Sequence, residues 1–416
     1  MTSRQNVTAS LAIDPATRRV ILDPRDPSFV QDPYGAYASV QAVSPTFFWE
    51  DYGLWCLSGY DAVNRLLRDR RFGRENRWGP PMVDVAGREH LADFDRIERH
   101  SLLEREPPVH TRLRGLVNRA FVSRQIERLR PRVEALAHEL VDGFEATREV
   151  DLLPAFATPI PVTVIAEMLG VPVDMGPKLV DWSNRMVRMY THRPSRAVQE
   201  DANAASREFA DFLRNYVDRR RAAPGDDLLS LLISASDSGE RLSEDELLTS
   251  VILLLNAGHE ATVHQAGNAV KTILEQGGDP RRFFGDAAAT EATVEECLRF
   301  DAPLHMFTRY AYETVEIEPG VVLQPGEQVA LLLGAANNDP AAFVTPRLFD
   351  PARADQKNVT FGAGIHFCIG APLARLELQV ALNVLFARLP GLRLAEPPVY
   401  RDNYHFHGLE RLMASW

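Results

Sequence analysis

The sequence predicts a mainly α-helical protein with a small β region, and three observations carry that prediction. First, Ser243-Glu244-Asp245-Glu246 has the form of a capping box, serine at the N-cap and glutamate at N3. It opens a helical pattern that runs through Val251-Ile252-Leu253-Leu254-Leu255 to Leu274 and stops at Gly277-Gly278. A helix that is apolar nearly all round is central and buried. Second, helical patterns recur at Val133–Phe144, Val162–Leu169, from Pro194 to Arg221, Glu291–Phe300 and Ala371–Leu389. Third, extended text is confined to short segments, a hairpin at Thr46–Leu57 and a strand at Leu304–Arg309 among them.

The chain has 416 residues, enough for a large core, and nothing in it marks a linker, repeat or low-complexity tract. One structural domain over 1–416 is expected, with 1–25 a loosely ordered lead. Hydrophobic residues at 45% and charged residues at 25% are the balance of a soluble globular protein. A net charge of -11 argues against nucleic-acid binding. Cys56, Cys297 and Cys368 are few, odd in number and far apart, so neither a disulfide framework nor a multi-cysteine zinc site is indicated, and a reducing cytoplasm fits. The N-terminus lacks the basic and apolar regions of a signal peptide. The most apolar runs fall far short of the roughly 20 residues that span a bilayer. A monomer without membrane contact is expected.

In chain order, Asp32-Pro33-Tyr34 begins a short helix to Val43. Thr46-Phe47-Phe48-Trp49 and Leu54-Trp55-Cys56-Leu57 flank the Asp51-Tyr52-Gly53 turn and read as a hairpin, being rich in aromatic residues with alternation. A helix over Tyr60–Arg68 follows. From Phe72 to Ile97 the text, with Gly79-Pro80-Pro81, is irregular, and a loop that long is functional or disordered. Pro107-Pro108 starts a helix, in which His110 and Arg114, four apart, share one face. That pair alone reads equally as a basic solvated face. Between Arg112 and Arg132 seven arginines accompany a single acid, Glu127. Such a patch in an acidic chain steers an acidic partner or is merely a solvated face. Trp182, Met186, Met189 and Tyr190 precede the break at Pro194; residues at such spacing are commonly core.

Inside the long helix lies Ala257-Gly258-His259-Glu260-Ala261-Thr262. An acid in a buried helix is costly to leave unpaired, so it is paired, protonated or catalytic. Glu296 and Arg299, three apart, share a helix face. Near the end stands Thr360-Phe361-Gly362-Ala363-Gly364-Ile365-His366-Phe367-Cys368-Ile369-Gly370. Its glycines permit tight turns and close approach to a ligand. Cys368, at the positive end of a helix, is expected as a thiolate and metal ligand; a buried, inert cysteine is the alternative.

The spacing Phe361-x-x-Gly364-x-His366-x-Cys368-x-Gly370 resembles the haem-ligand loop of the cytochrome P450 family. The resemblance implies that family's triangular helical fold around haem b, with Cys368 the axial thiolate and Phe361, Gly362, Gly370 and Ala257 against the cofactor. It assigns His110, Arg114, Arg309 and His366 to the haem propionates, where charge-assisted bonds are strong; Glu106 stands where the family usually has aspartate. Glu260 matches the acid of the proton relay, and Gly258 would leave room for dioxygen. Ala261 replaces the usual threonine, so a hydroxyl normally present on the oxygen side is missing.

Thr262 cannot substitute, because one helical step turns a side chain by about 100°. Ala257 and Ala261 would face the iron, and Thr262 would share a neighbouring face with Gly258. Protons are then expected through ordered water held by Glu260, Thr262 or a substrate hydroxyl. By the same resemblance Glu296 and Arg299 form a structural ion pair, and Leu304, Met306, Phe307 and Phe406 line the substrate pocket. The region 72–97 covers that pocket, and the segment around Trp182 to Tyr190 belongs to its lid. Asn337-Asn338-Asp339-Pro340, Phe349-Asp350-Pro351-Ala352-Arg353 and the turn Tyr404–Gly408 follow the family's order. The implied activity is hydroxylation of a mid-sized, largely apolar small molecule, using dioxygen and two electrons from a separate ferredoxin or flavodoxin with its reductase. A peroxide-driven or non-redox haem-thiolate enzyme, and a non-catalytic haem or ligand carrier, are the alternatives.

Overall fold

The predicted central helix forms over Glu244–Glu275, 32 residues long. Its capping box is made: the Glu246 amide donates to Ser243 Oγ at 3.2 Å and the Ser243 amide to the Glu246 carboxylate at 2.9 Å. Helices Ala92–His100, Pro159–Leu169, Gly176–Val187, Arg196–Ala222, Ala287–Phe300 and Ala371–Arg388 all pack against it. A rod covered on so many sides has no face left for water, which is why its apolar residues run all round. The structure, a computed structural model, describes residues 10–79, 87–118, 121–237 and 242–416.

The β region is a seven-stranded sheet with smaller two- and three-stranded ones. The predicted hairpin is present, with Phe47 opposite Cys56 and Phe48 opposite Trp55. Its second strand, Leu54–Leu57, pairs in parallel with Gln328–Leu332, which pairs antiparallel with Met306–Ala311. The sheet thus joins early and late segments of the chain. Ala12–Asp14 and Arg19–Ile21 form a hairpin at its edge, with Val20 1% exposed. Order therefore begins well inside the segment read as a loose lead, while residues 1–9 lie outside the described residues.

The stretch read as irregular holds the helix Ala92–His100. Its sequence is largely charged, with Phe94 and Ile97 as its only buried apolar residues, and the buried Asp95 is neutralised by Arg88. Pro80 and Pro81 lie outside the described residues. The pair of helices around Pro194 forms as expected, with Trp182 stacked on Phe209 at 4.9 Å.

Glu296 and Arg299 are each 1% exposed, and Arg299 Nε and Nη2 donate to the two Glu296 oxygens at 2.8 Å. The carboxylate also accepts from Arg353 Nε at 2.9 Å and from the Asp350 amide at 3.0 Å. Arg299 donates further to the carbonyls of Asn337 and Pro346. Asn337 receives the Val359 amide and donates to Thr360 Oγ, each at 2.8 Å, so the network ends at the cysteine loop. Replacing Glu296 by alanine strands two guanidinium groups. It should lower unfolding free energy by about 3–5 kcal/mol, read from the denaturant midpoint at unchanged slope.

Candidate active site

The cysteine loop is shaped by two glycines in the left-handed region, Gly362 at φ 68° and Gly364 at φ 71°. A Cβ on Gly364 would lie 2.4 Å from the Leu67 carbonyl oxygen, so the close approach of those two segments requires glycine. The Cys368 amide closes the loop on the Phe361 carbonyl at 3.0 Å, and the helix Ala371–Arg388 begins just beyond. Burial pushes the Cys368 thiol up; the amides of Gly370 and Ala371 and the charges of Arg114 and Arg375 oppose this without prevailing. Burial thus works against the thiolate that the loop's amides and guanidinium groups favour. A metal ion bound to the sulfur would supply the missing positive charge.

The four basic residues assigned from the sequence gather beside this loop. Arg114 Nη2 donates to the Phe367 carbonyl at 2.6 Å. The rings of His110 and His366 lie 4.5 Å apart, and His366 Nε2 is 2.8 Å from Glu106 Oε1. His110 is 2% exposed and its Nε2 has no partner among the described residues. Burial, His366 and Arg114 push it down to about 4. Arg309 is 4% exposed, and among the described residues its one side-chain hydrogen bond goes to the Thr308 carbonyl at 2.8 Å. Burial pushes its guanidinium down to about 9. Burial also raises the Glu106 carboxyl, but His366 and the Arg74 amide outweigh it and hold it below the usual range.

A buried guanidinium without a carboxylate and an orphaned imidazole nitrogen are expensive unless an anion completes them. The carboxylates of haem b fit that requirement. Arg74, beside this group, was not found from sequence, and neither was the Glu106–His366 pair, whose members are 260 positions apart.

On the central helix, Ala257 is exposed although Leu254, Leu255, His259 and Glu260 around it are buried. Leu253, Asn256 and Ala261 keep partial exposure, and steps of three and four place them all on one face. A flat ligand lying against Ala257 and Ala261 requires such a face. Gly258 does not open onto it: a Cβ there would lie 2.7 Å from Ile165 Cγ1. Its missing side chain serves close packing with Pro159–Leu169, which corrects the expectation of room for dioxygen. Thr262 lines a small apolar cavity behind the helix, with Phe156, Ile160 and Glu377.

Glu260 lies 3.1 Å from His264 Nε2 and 3.8 Å from His259 Nε2. Burial pushes its carboxyl up, but the two histidines outweigh that and hold it below the usual range. The acid of the helix is therefore ionised and paired. His264 was legible, since i and i+4 share a helix face.

Phe307 lies over the loop, 3.4 Å from where a Gly362 Cβ would be, and 5.9 Å from the Arg309 guanidinium. Met306 instead joins the core with Phe47, Trp49, Cys56 and Tyr404. Successive strand residues point to opposite faces, so Met306 and Phe307 cannot both line one pocket. Leu304 bridges to Phe406, whose ring stands 6.3 Å from Tyr190 and 6.4 Å from His264. The turn carrying Phe406 is anchored by His407, stacked on Tyr400 at 3.8 Å and 3.4 Å from Asp301.

A family model described as cytochrome P450 matches residues 45–270 and 286–389. The chain belongs to the cytochrome P450 family. This P450 is 38% identical to 6-deoxyerythronolide B hydroxylase of Saccharopolyspora erythraea, covering 92% of this chain and 96% of that one. It is 37% identical to vitamin D(3) 25-hydroxylase of Pseudonocardia autotrophica, covering 92% and 94%. Its backbone matches P450BioI, solved in complex with hexadec-9Z-enoic acid ligated acyl carrier protein, with a TM-score of 0.86 at 32% identity, covering 93% and 99%. The P450 is thus a monooxygenase of mainly α fold that uses haem b with an axial cysteine thiolate, Cys368 in this chain. Among the described residues no helix is long and apolar enough to cross a membrane.

If Gly258 serves packing, Gly258→Ala should cost about 1–3 kcal/mol in denaturant unfolding. Adding Ile165→Ala should recover part of that loss relative to Ile165→Ala alone.

Proposed function

We propose that this P450 hydroxylates a mid-sized, largely apolar small molecule, with dioxygen and two electrons from a separate ferredoxin or flavodoxin and its reductase, in the cytoplasm. The observation that carries the reading is the convergence of Cys368, Arg114, His110, His366 and Arg309, two of them with buried donors that lack an acid. Bound haem supplies oxygen activation and oxidation of a C–H bond. In this reading the four basic residues hold the haem carboxylates, and the face of Ala257 and Ala261 bounds the oxygen side. Glu260 and His264, 3.1 Å apart, stand beside it. Thr262 faces the rear cavity, so water held by the Glu260–His264 pair or by a substrate hydroxyl replaces the absent threonine.

The names of two relatives, as hydroxylases of 6-deoxyerythronolide B and of vitamin D(3), support a small-molecule substrate. The redox-partner patch is smaller than the arginine count implies. Arg112 pairs with Glu246, Arg130 with Glu127 and Arg132 with Glu167, while Arg119 lies outside the described residues. Arg124 and Arg128 remain exposed, and Phe367, on the outer side of the loop, is 39% exposed. Ala261 also favours a second reading, a peroxide-driven enzyme. Steady turnover with hydrogen peroxide, and none with ferredoxin and reductase, selects it.

The reduced protein under carbon monoxide should show the red-shifted Soret band of thiolate ligation, and Cys368→Ala should abolish it. Ala261→Thr should leave turnover and the ratio of product to oxygen consumed essentially unchanged with the natural substrate. A large gain in both refutes a proton route through the Glu260–His264 pair.

A further inference from the structure

Glu98 belongs to the helix Ala92–His100, and the Tyr190 hydroxyl donates to its Oε1 at 3.1 Å. The Tyr190 ring stands 6.3 Å from Phe406, and Phe406 stands 6.4 Å from His264 on the central helix. The carboxylate is therefore the far end of a row of side chains that starts beside Glu260. Three separate segments contribute to that row: the helix after residue 87, the lid and the C-terminal turn.

We propose that the substrate carries a basic nitrogen, and that Glu98 with the rings of Tyr190 and Phe406 forms the subsite that holds it as a cation. This deepens the monooxygenase reading and rests on it. Tyr190 is 41% exposed, yet burial pushes the carboxyl bonded to it up to about 7. The geometry that joins this acid to the site is the row itself: Tyr190 against Glu98, Phe406 against Tyr190 and His264 against Phe406. The charged neighbours leave the acid without an ion pair among the described residues. Arg74 acts on it from nearby, and its guanidinium pairs with Glu104. Asp95, on the same helix, is committed to Arg88.

Glu98 makes no ion pair among the described residues, and Glu104 adds a second negative charge nearby. An ammonium group seated there gains a carboxylate partner in a desolvated site and the electron-rich faces of two rings. A neutral ligand gains neither, and an anion is repelled.

The test is calorimetric titration of the haem-loaded protein with dodecyltrimethylammonium, dodecanol and dodecanoate below their micellar concentrations. A quaternary nitrogen has no lone pair, so it cannot ligate iron. At about pH 8 the cation should bind about tenfold tighter than the alcohol, and the anion most weakly. Below neutrality protonation of Glu98 removes the attraction, so the preference should fade as pH drops to about 6. Glu98→Gln should abolish the preference at every pH while leaving dodecanol affinity unchanged, which also shows that the variant is folded. Equal affinities for the three probes, or a preference that survives in Glu98→Gln, overturn the proposal. Should that variant not fold, a pH-independent preference in the unaltered protein overturns it equally. The carbon monoxide spectrum of the same preparation scores the haem-thiolate reading separately.

Discussion

One buried carboxylate sets the geometry on which the site rests. Glu296 accepts from Arg299, Arg353 and the Asp350 amide, and through Arg299 and Asn337 it ties the helix Ala287–Phe300 to residues 337–360. The cysteine loop starts where that network stops. Its long irregular approach has little regular secondary structure to stiffen it, so side-chain hydrogen bonds to main chain take over that task. A buried ion pair is weak evidence of net stability. In this fold its use is to fix where Cys368 sits relative to the central helix.

The interior electrostatics follow from that placement. A chain with a net charge of -11 nevertheless collects His110, Arg114, Arg309 and His366 around one loop. Among the described residues only His366 is in ion-pair contact with an acid, Glu106. His110 and Arg309 are buried without an ion pair of their own among the described residues, a surplus that makes sense for an acidic cofactor. On the distal side the logic is reversed: Glu260 lies within hydrogen-bond distance of His264 on its own helix, and Glu98 makes no ion pair among the described residues.

What could be read from sequence was what local spacing encodes. The capping box, the all-round apolar helix, the aromatic hairpin and the Glu296–Arg299 pair each lie within a few residues or one repeat. The helix Ala92–His100 escaped because its charges mask a two-residue apolar stripe. The edge hairpin at 12–21 escaped because its strands are only three residues long. Met306 was misplaced because a strand was read as though neighbours shared a face, and Gly258 because its packing partner, Ile165, is remote in sequence. The thiol of Cys368 illustrates a competition of magnitudes: amide dipoles were visible in the motif, whereas the larger cost of burial was not.

The parallel pairing of Leu54–Leu57 with Gln328–Leu332 has a consequence for synthesis. The early hairpin reaches its sheet partner only after residues 328–332 have left the ribosome, so a ribbon rich in aromatic side chains waits with an unpaired edge through much of translation. Closing so long a loop is entropically slow to begin with. An exposed strand edge is also a template for wrong partners. Until residues 328–332 emerge, that edge is where shielding, by a chaperone or by helices already made, has most to do.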